Sequence, residues 1–163
     1  MQTLTPDDVQ AAIDKLLPGT KIRFFEESTE TSQLAADAVG CEVGQIAKSI
    51  CFMINKEMPV LVVTSGDQTV DDRKIAGLFE VGRKKVRLAK PDQCIEIFGY
   101  APGGVPPLGH RADNIVVYLD EMLRRYEDIY AAGGTANTIF PLTPDSLQQA
   151  TGGTYADVVK SES

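Results

Sequence analysis

The chain is short of the residues that most often do chemistry on their own. It has one histidine, His110, and three cysteines, Cys41, Cys51 and Cys94, with no C-x-x-C pair. A single histidine cannot build a His-rich metal site. Zinc held by the cysteines together with His110 would match none of the common zinc spacings. An odd cysteine count without a secretion signal argues against a disulfide framework. There is no G-x-S-x-G elbow, and no cysteine stands in a nucleophile context. No apolar run approaches the ~18 residues of a membrane span, and the longest, near 50–54, is strand-sized. The start, Met1-Gln2-Thr3-Leu4-Thr5-Pro6, lacks the positive region and apolar core of a signal peptide. Repeats, low-complexity tracts and linkers are missing as well. The expectation is a cytoplasmic protein with no metal, no cofactor and no membrane partner.

What is present suits one folded unit. The 163 residues are 43% apolar and 24% charged, ordinary values for a globular chain. A single domain spanning 1–163 of this size buries about 70% of its unfolded surface. The net charge of −7 disfavours a nucleic-acid partner at first sight. The distribution reverses that reading: between 73 and 90 lie Arg73, Lys74, Arg83, Lys84, Lys85, Arg87 and Lys90 against Glu80 alone, so this segment is +6 and the remainder −13. Such an island is either an electrostatic footprint for phosphates or a solvated surface rich in helix-end cations.

Patterning alternates short helices and strands. Thr5-Pro6-Asp7-Asp8 is a helix start, followed by Val9, Ala12, Ile13, Leu16 and Leu17 at helical spacing. A strand is expected over 21–26. Thr31 caps a second helix that carries Leu34, Ala35, Ala38 and Val39 and ends at Gly40. The clearest strand covers 46–54, and its polar connection into 59–64 reads as an antiparallel hairpin. Helices are expected over 70–80 and 92–98, with a strand at 86–88 between them. Strands at 114–119 and 128–131 enclose a short helix at 120–124. After the Gly133-Gly134 turn come a strand from Thr138, a helix capped by Thr143 and a short strand near 155–158. The fold class is therefore α+β, one domain around a mixed sheet flanked by helices.

Two features point to a site. Gly103-Gly104-Val105-Pro106-Pro107-Leu108-Gly109-His110 combines glycines that turn sharply with prolines that stiffen the chain. Such a loop is either a tight connector or a rigid wall offering backbone N–H groups to an anion or a polarised carbonyl. Lys48 shares a strand face with Ile46, Ile50, Phe52 and Ile54. Its ammonium either snorkels at the strand end or stands beside a substrate anion or carbonyl.

Ile46-Ala47-Lys48-Ser49-Ile50, the helix over 71–79, the 103–110 loop and Ala132-Gly133-Gly134 follow one another in an order and spacing that resemble the YbaK/prolyl-tRNA-synthetase-associated domain family, the INS-like editing domains. The resemblance covers about 5–159. It implies a mixed, mainly antiparallel, curved sheet. It also implies a freestanding hydrolase that deacylates mischarged aminoacyl-tRNA, typically tRNA(Pro) carrying a small wrong amino acid. One methylene gives only ~1–3 kcal/mol of discrimination, so a second sieve has a physical purpose.

By this resemblance Lys48 anchors the 3′-terminal nucleotide. Gly103, with Pro107 as the loop's proline, positions the aminoacyl group or its oxyanion. The 2′-OH of the terminal adenosine and a water replace a protein nucleophile, and no metal is needed. Phe25, Gly104, Pro107, Gly109, His110, Gly133, Thr138 and Ile139 are the further substrate-binding candidates, and Arg83, Lys84, Lys85 and Arg87 the candidates for acceptor-stem phosphates. The implied partners are the acceptor end of aminoacyl-tRNA and prolyl-tRNA synthetase. Relatives that hydrolyse Cys-tRNA(Pro) carry a tyrosine where Phe25 stands and an aspartate near Ile139, so the edited amino acid is open among Cys, Ala, Ser, 2-aminobutyrate and other small residues. Two rival readings are a non-catalytic tRNA-end or nucleotide-binding module docked on a synthetase, and a small-molecule acyl hydrolase.

Overall fold

The computed structural model describes residues 2–161. Helix α1 (Pro6–Leu16) is closed at its start by a capping box, with Pro6 in the first turn and the Thr5 N–H donating to the Asp8 carboxylate at 2.8 Å. Helix α2 (Ser32–Val39) runs from the Thr31 cap to Gly40 at φ 83°, a left-handed stop that suits glycine. Helices α3 (Asp72–Leu78) and α4 (Pro91–Gln93) follow, and α5 (Pro144–Thr151) is capped by Thr143.

The strands in chain order are β1 (Arg23–Phe24), β2 (Ile46–Ile54), β3 (Met58–Ser65), β4 (Val86–Leu88), β5 (Val116–Asp120), β6 (Ile129–Ala132), β7 (Thr138–Leu142) and β8 (Thr154–Ala156). They form one 8-stranded sheet in the order β1-β7-β6-β2-β3-β5-β8, with β4 added to β2. The β2–β3 hairpin pairs from Ala47 opposite Ser65 to Ile54 opposite Met58. Its turn holds Asn55 and Lys56 at φ 54° and 66°, the two left-handed residues of a type I′ loop. The sheet is mixed: β3–β5, β5–β8 and β2–β6 are parallel, and the other pairs antiparallel.

The other edge of β2 is divided. β6 pairs there with Ile46 and Ala47 only, and β4 with Phe52, Met53 and Ile54. Alternation sends Ala47 and Cys51 into the core built on Val9, Ile13, Phe98 and Leu147. On the opposite face Phe52 and Ile54 pack on Ile75 and Ala76 of α3, while Ile46 packs on Ala35 and Ala36 of α2.

Several expected elements change their bounds. The strand over 21–26 shrinks to two residues because the next backbone groups bond to a turn: Phe25 N–H to Asn137 O at 2.9 Å and Thr29 N–H to Ala136 O at 2.6 Å. The helix over 70–80 starts later, since Asp71 caps it and Val70 bridges Val159. The segment 92–98 finishes as a π-turn over Cys94–Phe98, with Gly99 N–H reaching Cys94 O at 2.8 Å. In α2 the inward residues are Ala35 and Ala36, and Leu34 is 43% exposed.

Asp120, expected to open a helix, does cap the 3-10 helix Glu121–Arg125 while also ending β5, at 0% exposure. Its carboxylate accepts from Thr64 Oγ1 at 3.1 Å, Ser65 N–H at 2.9 Å and Met122 N–H at 2.9 Å. Removing it strands buried donors, each costing about 1–3 kcal/mol. Asp120→Ala is therefore expected to lower unfolding stability by about 3 kcal/mol, read in urea as a lower midpoint with an unchanged slope. A loss below 1 kcal/mol would contradict this network.

Candidate functional site

The gap in the β2 edge is where side chains of different origin meet. Between Ala47 and Phe52 no strand among the described residues covers that side. Lys48 and Ser49 line a pocket there, faced by Gly103 and Val105 of the proline loop and by Thr138 and Ile139 of β7. Ala35, Ile46 and Ala131 give it an apolar floor. Its volume is about 50 Å³; a water-sized probe needs about 10–15 Å³, so it accepts a group of only a few heavy atoms.

A trench continues from it past Cys51, Leu88, Ala89 and Cys94, with Glu30, Lys48 and Gly103 at the junction. Beyond Leu88 the trench opens into a groove of about 840 Å³ lined by Lys56, Lys84, Lys85, Arg87 and Lys90. Leu88, 66% exposed, borders both.

The proline loop is held as a wall. Val105 and Leu108 are buried in the main core. Tyr100 Oη donates to Gly109 O at 2.6 Å, and the His110 Nε2 meets Pro106 O at 2.8 Å. Gly104 touches a second loop so closely that a Cβ there would lie 2.7 Å from the Thr135 Cα. Gly103, at φ 94°, faces the pocket, and its N–H donates to no acceptor among the described residues.

Polar groups around the pocket differ in how committed they are. The Thr138 hydroxyl is spent on its own turn, accepting from Gly133 N–H at 3.1 Å and donating to Thr135 O at 3.0 Å. Ser49 Oγ is buried and has no partner among the described residues, a hydroxyl left for a bound group or water. The Lys48 ammonium makes no ion pair among the described residues. The Cys51 thiol is raised above its ordinary range by its hydrogen bond with Cys94 and by burial, and the same hydrogen bond lowers the Cys94 thiol.

A scan against family models matches residues 26–150 to the aminoacyl-tRNA editing domain. The chain belongs to this family. It is 34% identical over 125 residues to YwhH of Bacillus subtilis, a protein without an assigned activity, with 77% of each chain covered. It is 28% identical over 138 residues to EbsC of Enterococcus faecalis, named as a candidate Cys-tRNA(Pro)/Cys-tRNA(Cys) deacylase, covering 85% of this chain and 82% of that one. A crystal structure described as a candidate trans-editing enzyme for prolyl-tRNA synthetase superposes with a TM-score of 0.88 at 38% identity, over 98% of this chain and 100% of the other.

Within this editing domain the structure brings together Lys48, Gly103, Thr138 and Ile139, four of the residues singled out from the sequence. The others lie elsewhere. Phe25 packs behind the pocket against the Ile46 and Ile139 cluster, with the Arg23 guanidinium 5.2 Å above its ring. Gly104, Gly109 and Gly133 are close-packing positions rather than lining. Pro107 is buried within the loop, and His110 stacks edge-on to Phe98 at 5.8 Å beneath it. Of the basic candidates, Lys84, Lys85 and Arg87 line the groove while Arg83 does not. Lys74 is withdrawn from the island by Asp157 at 2.8 Å. Sequence reading missed Lys56, which reaches the groove because β4 pairs with β2 and Asn55 N–H bonds Lys85 O at 3.0 Å. It also missed Glu30, whose only local signal is its place beside the Thr31 cap. Among the described residues no group of three or more His, Cys, Asp or Glu is placed to hold a metal, and no helix is long and apolar enough to cross a membrane.

Burial holds the His110 imidazole below its ordinary pKa, with the Pro106 carbonyl opposing that in part. The unfolded chain therefore takes up the proton first, so stability is full above about pH 6.5 and declines as the pH falls below it. His110→Gln keeps a donor for Pro106 and removes the titration. Its melting temperature should fall less than that of the wild type between about pH 7 and pH 5. Parallel profiles would place the acid sensitivity elsewhere.

Proposed function

We propose that this editing domain is an aminoacyl-tRNA deacylase acting in trans, on tRNA(Pro) carrying a small wrong amino acid. The observation that carries the reading is the meeting, on one small apolar pocket, of a Lys48 ammonium and a Gly103 N–H that have no partner among the described residues. The ammonium suits the phosphate or ester region of the terminal adenosine. The Gly103 N–H suits the ester carbonyl, whose oxygen gains negative charge as the tetrahedral species forms. Water adds to the carbonyl carbon, the ester C–O bond breaks, and a proton passes through the adjacent ribose 2′-OH to the departing 3′ oxygen. The products are the free amino acid and tRNA with an intact 3′ end. No protein nucleophile is required, in keeping with a raised Cys51 thiol and a His110 committed to Pro106.

The pocket volume of about 50 Å³ supports small side chains such as Ala, Ser or Cys. Ile139 and Ala35 supply apolar walls. The reading of tRNA(Pro) draws on EbsC, whose name gives both Cys-tRNA(Pro) and Cys-tRNA(Cys), and on the solved structure described as a candidate trans-editing enzyme for prolyl-tRNA synthetase.

Release of amino acid from a panel of mischarged tRNAs tests this reading. Wild type should deacylate at least one small-residue substrate, and Lys48→Ala should lower kcat/KM by about 100-fold, the scale of losing a charge-assisted contact at the reacting end. No turnover of any substrate, or full activity in the variant, would refute it. Salt-sensitive binding of uncharged tRNA without turnover would favour a binding module instead.

The groove is tested separately. A Lys84→Ala/Lys85→Ala/Arg87→Ala variant should bind tRNA more weakly and lower the slope of log K against log salt by about 0.9 per lost phosphate contact. An unchanged slope would return these cations to a solvated surface.

A further inference from the structure

Two opposite charges border the pocket, and neither has an ion-pair partner among the described residues. Lys48 is one. The other is Glu30, at the junction of pocket and trench. Among the described residues the Glu30 carboxylate makes no ion pair within 4.0 Å, with Lys48 or any other cation. It has no capping duty either, because Thr31 accepts the Leu34 N–H at 3.1 Å. Its backbone is nonetheless fixed: Thr29 N–H bonds Ala136 O at 2.6 Å, and Glu30 N–H meets Ser28 Oγ at 3.3 Å. A Cβ placed on Gly103 would lie 3.3 Å from Glu30 Cβ and 3.7 Å from its Oε2. A carboxylate oxygen therefore stands beside the Gly103 backbone.

We infer that Glu30 receives the α-ammonium of the aminoacyl group and makes the pocket selective for esters with a free amino group. The inference rests on the deacylase reading above. In an aminoacyl ester the ammonium nitrogen is joined to the carbonyl carbon through one carbon atom. A carbonyl seated on the Gly103 N–H thus brings its ammonium within reach of a carboxylate lying along the same backbone. The nucleotide's phosphates are left for Lys48. A cation next to the reacting carbonyl and anions beyond it match in sign the two charges that line the pocket. Blocking the amine removes the cation and leaves Glu30 facing a neutral amide.

The test uses alanine joined by a non-hydrolysable amide to the 3′ end of an acceptor-stem minihelix, with its N-acetyl counterpart as the neutral form. Wild type should bind the free-amine form about tenfold more tightly, the scale of one charge-assisted hydrogen bond at a partly exposed site. Glu30→Gln should bring the two affinities together, and Glu30→Lys should reverse their order. Equal affinities in wild type, or a preference that survives in Glu30→Gln, would overturn the assignment. Hydrolysis of the whole mischarged-tRNA panel, run in parallel, separates the two ideas. Turnover without an amine preference refutes Glu30 alone. An amine preference without turnover refutes the deacylase reading and retains Glu30. No binding of either form overturns both.

Discussion

The site depends on one constraint: β2 is paired continuously from Ala47 to Ile54 on one edge and shared between two short partners on the other. The continuous ladder to β3 fixes register, because a slip of one residue would send Lys48 to the core face and Ala47 out of it. The divided edge leaves a few residues without a neighbouring strand. A gap inside a sheet is normally a fault, since exposed backbone invites pairing. Here the gap is short, flanked by paired segments, and covered by the proline loop.

The loop can serve as cover because it is packed from beneath. Tyr100, His110, Val105 and Leu108 tie it to the core, and Gly104 lets it rest directly on the backbone at Thr135. Pocket width is thus set by contact between two main chains rather than between flexible side chains. Polar groups follow a division of labour. Thr138, His110 and Asp120 are consumed in holding turns and strand ends. Lys48, Gly103, Ser49 and Glu30 are left with capacity facing the gap.

Much of the fold was legible in the sequence where local chemistry is strong. Thr5, Thr31 and Thr143 announce helix starts, Gly40 a helix end, and the β2–β3 hairpin is written in nine and eight residues of dense apolar patterning. Elements decided by tertiary pairing were less legible. β1 is short because its backbone turns to bond Asn137 and Ala136, 112 and 107 residues away for the matching side-chain contacts. The pocket was legible in Lys48 and Gly103, which combine an out-of-place charge with unusual backbone chemistry. Lys56 and Glu30 were not, because an exposed Lys in a turn and an exposed Glu before a helix look alike in every surface. Only the pairing of β4 with β2 and the approach of Gly103 give them a place. His110 drew attention by its rarity, and the fold uses it as a strut.

The left-handed turn at Asn55 and Lys56 makes β2, its hairpin tip and β4 a single stiff ribbon. Lys48 lies near one end of that ribbon and the cationic groove at the other. At ~3.3 Å per residue, the six steps from Lys48 to Ile54 span roughly 20 Å, and the groove begins within them, at Met53 and at Leu88 opposite Phe52. That span cannot stretch, since every step is laddered to β3. A strand held in this way keeps the small pocket and the cationic groove at a fixed separation.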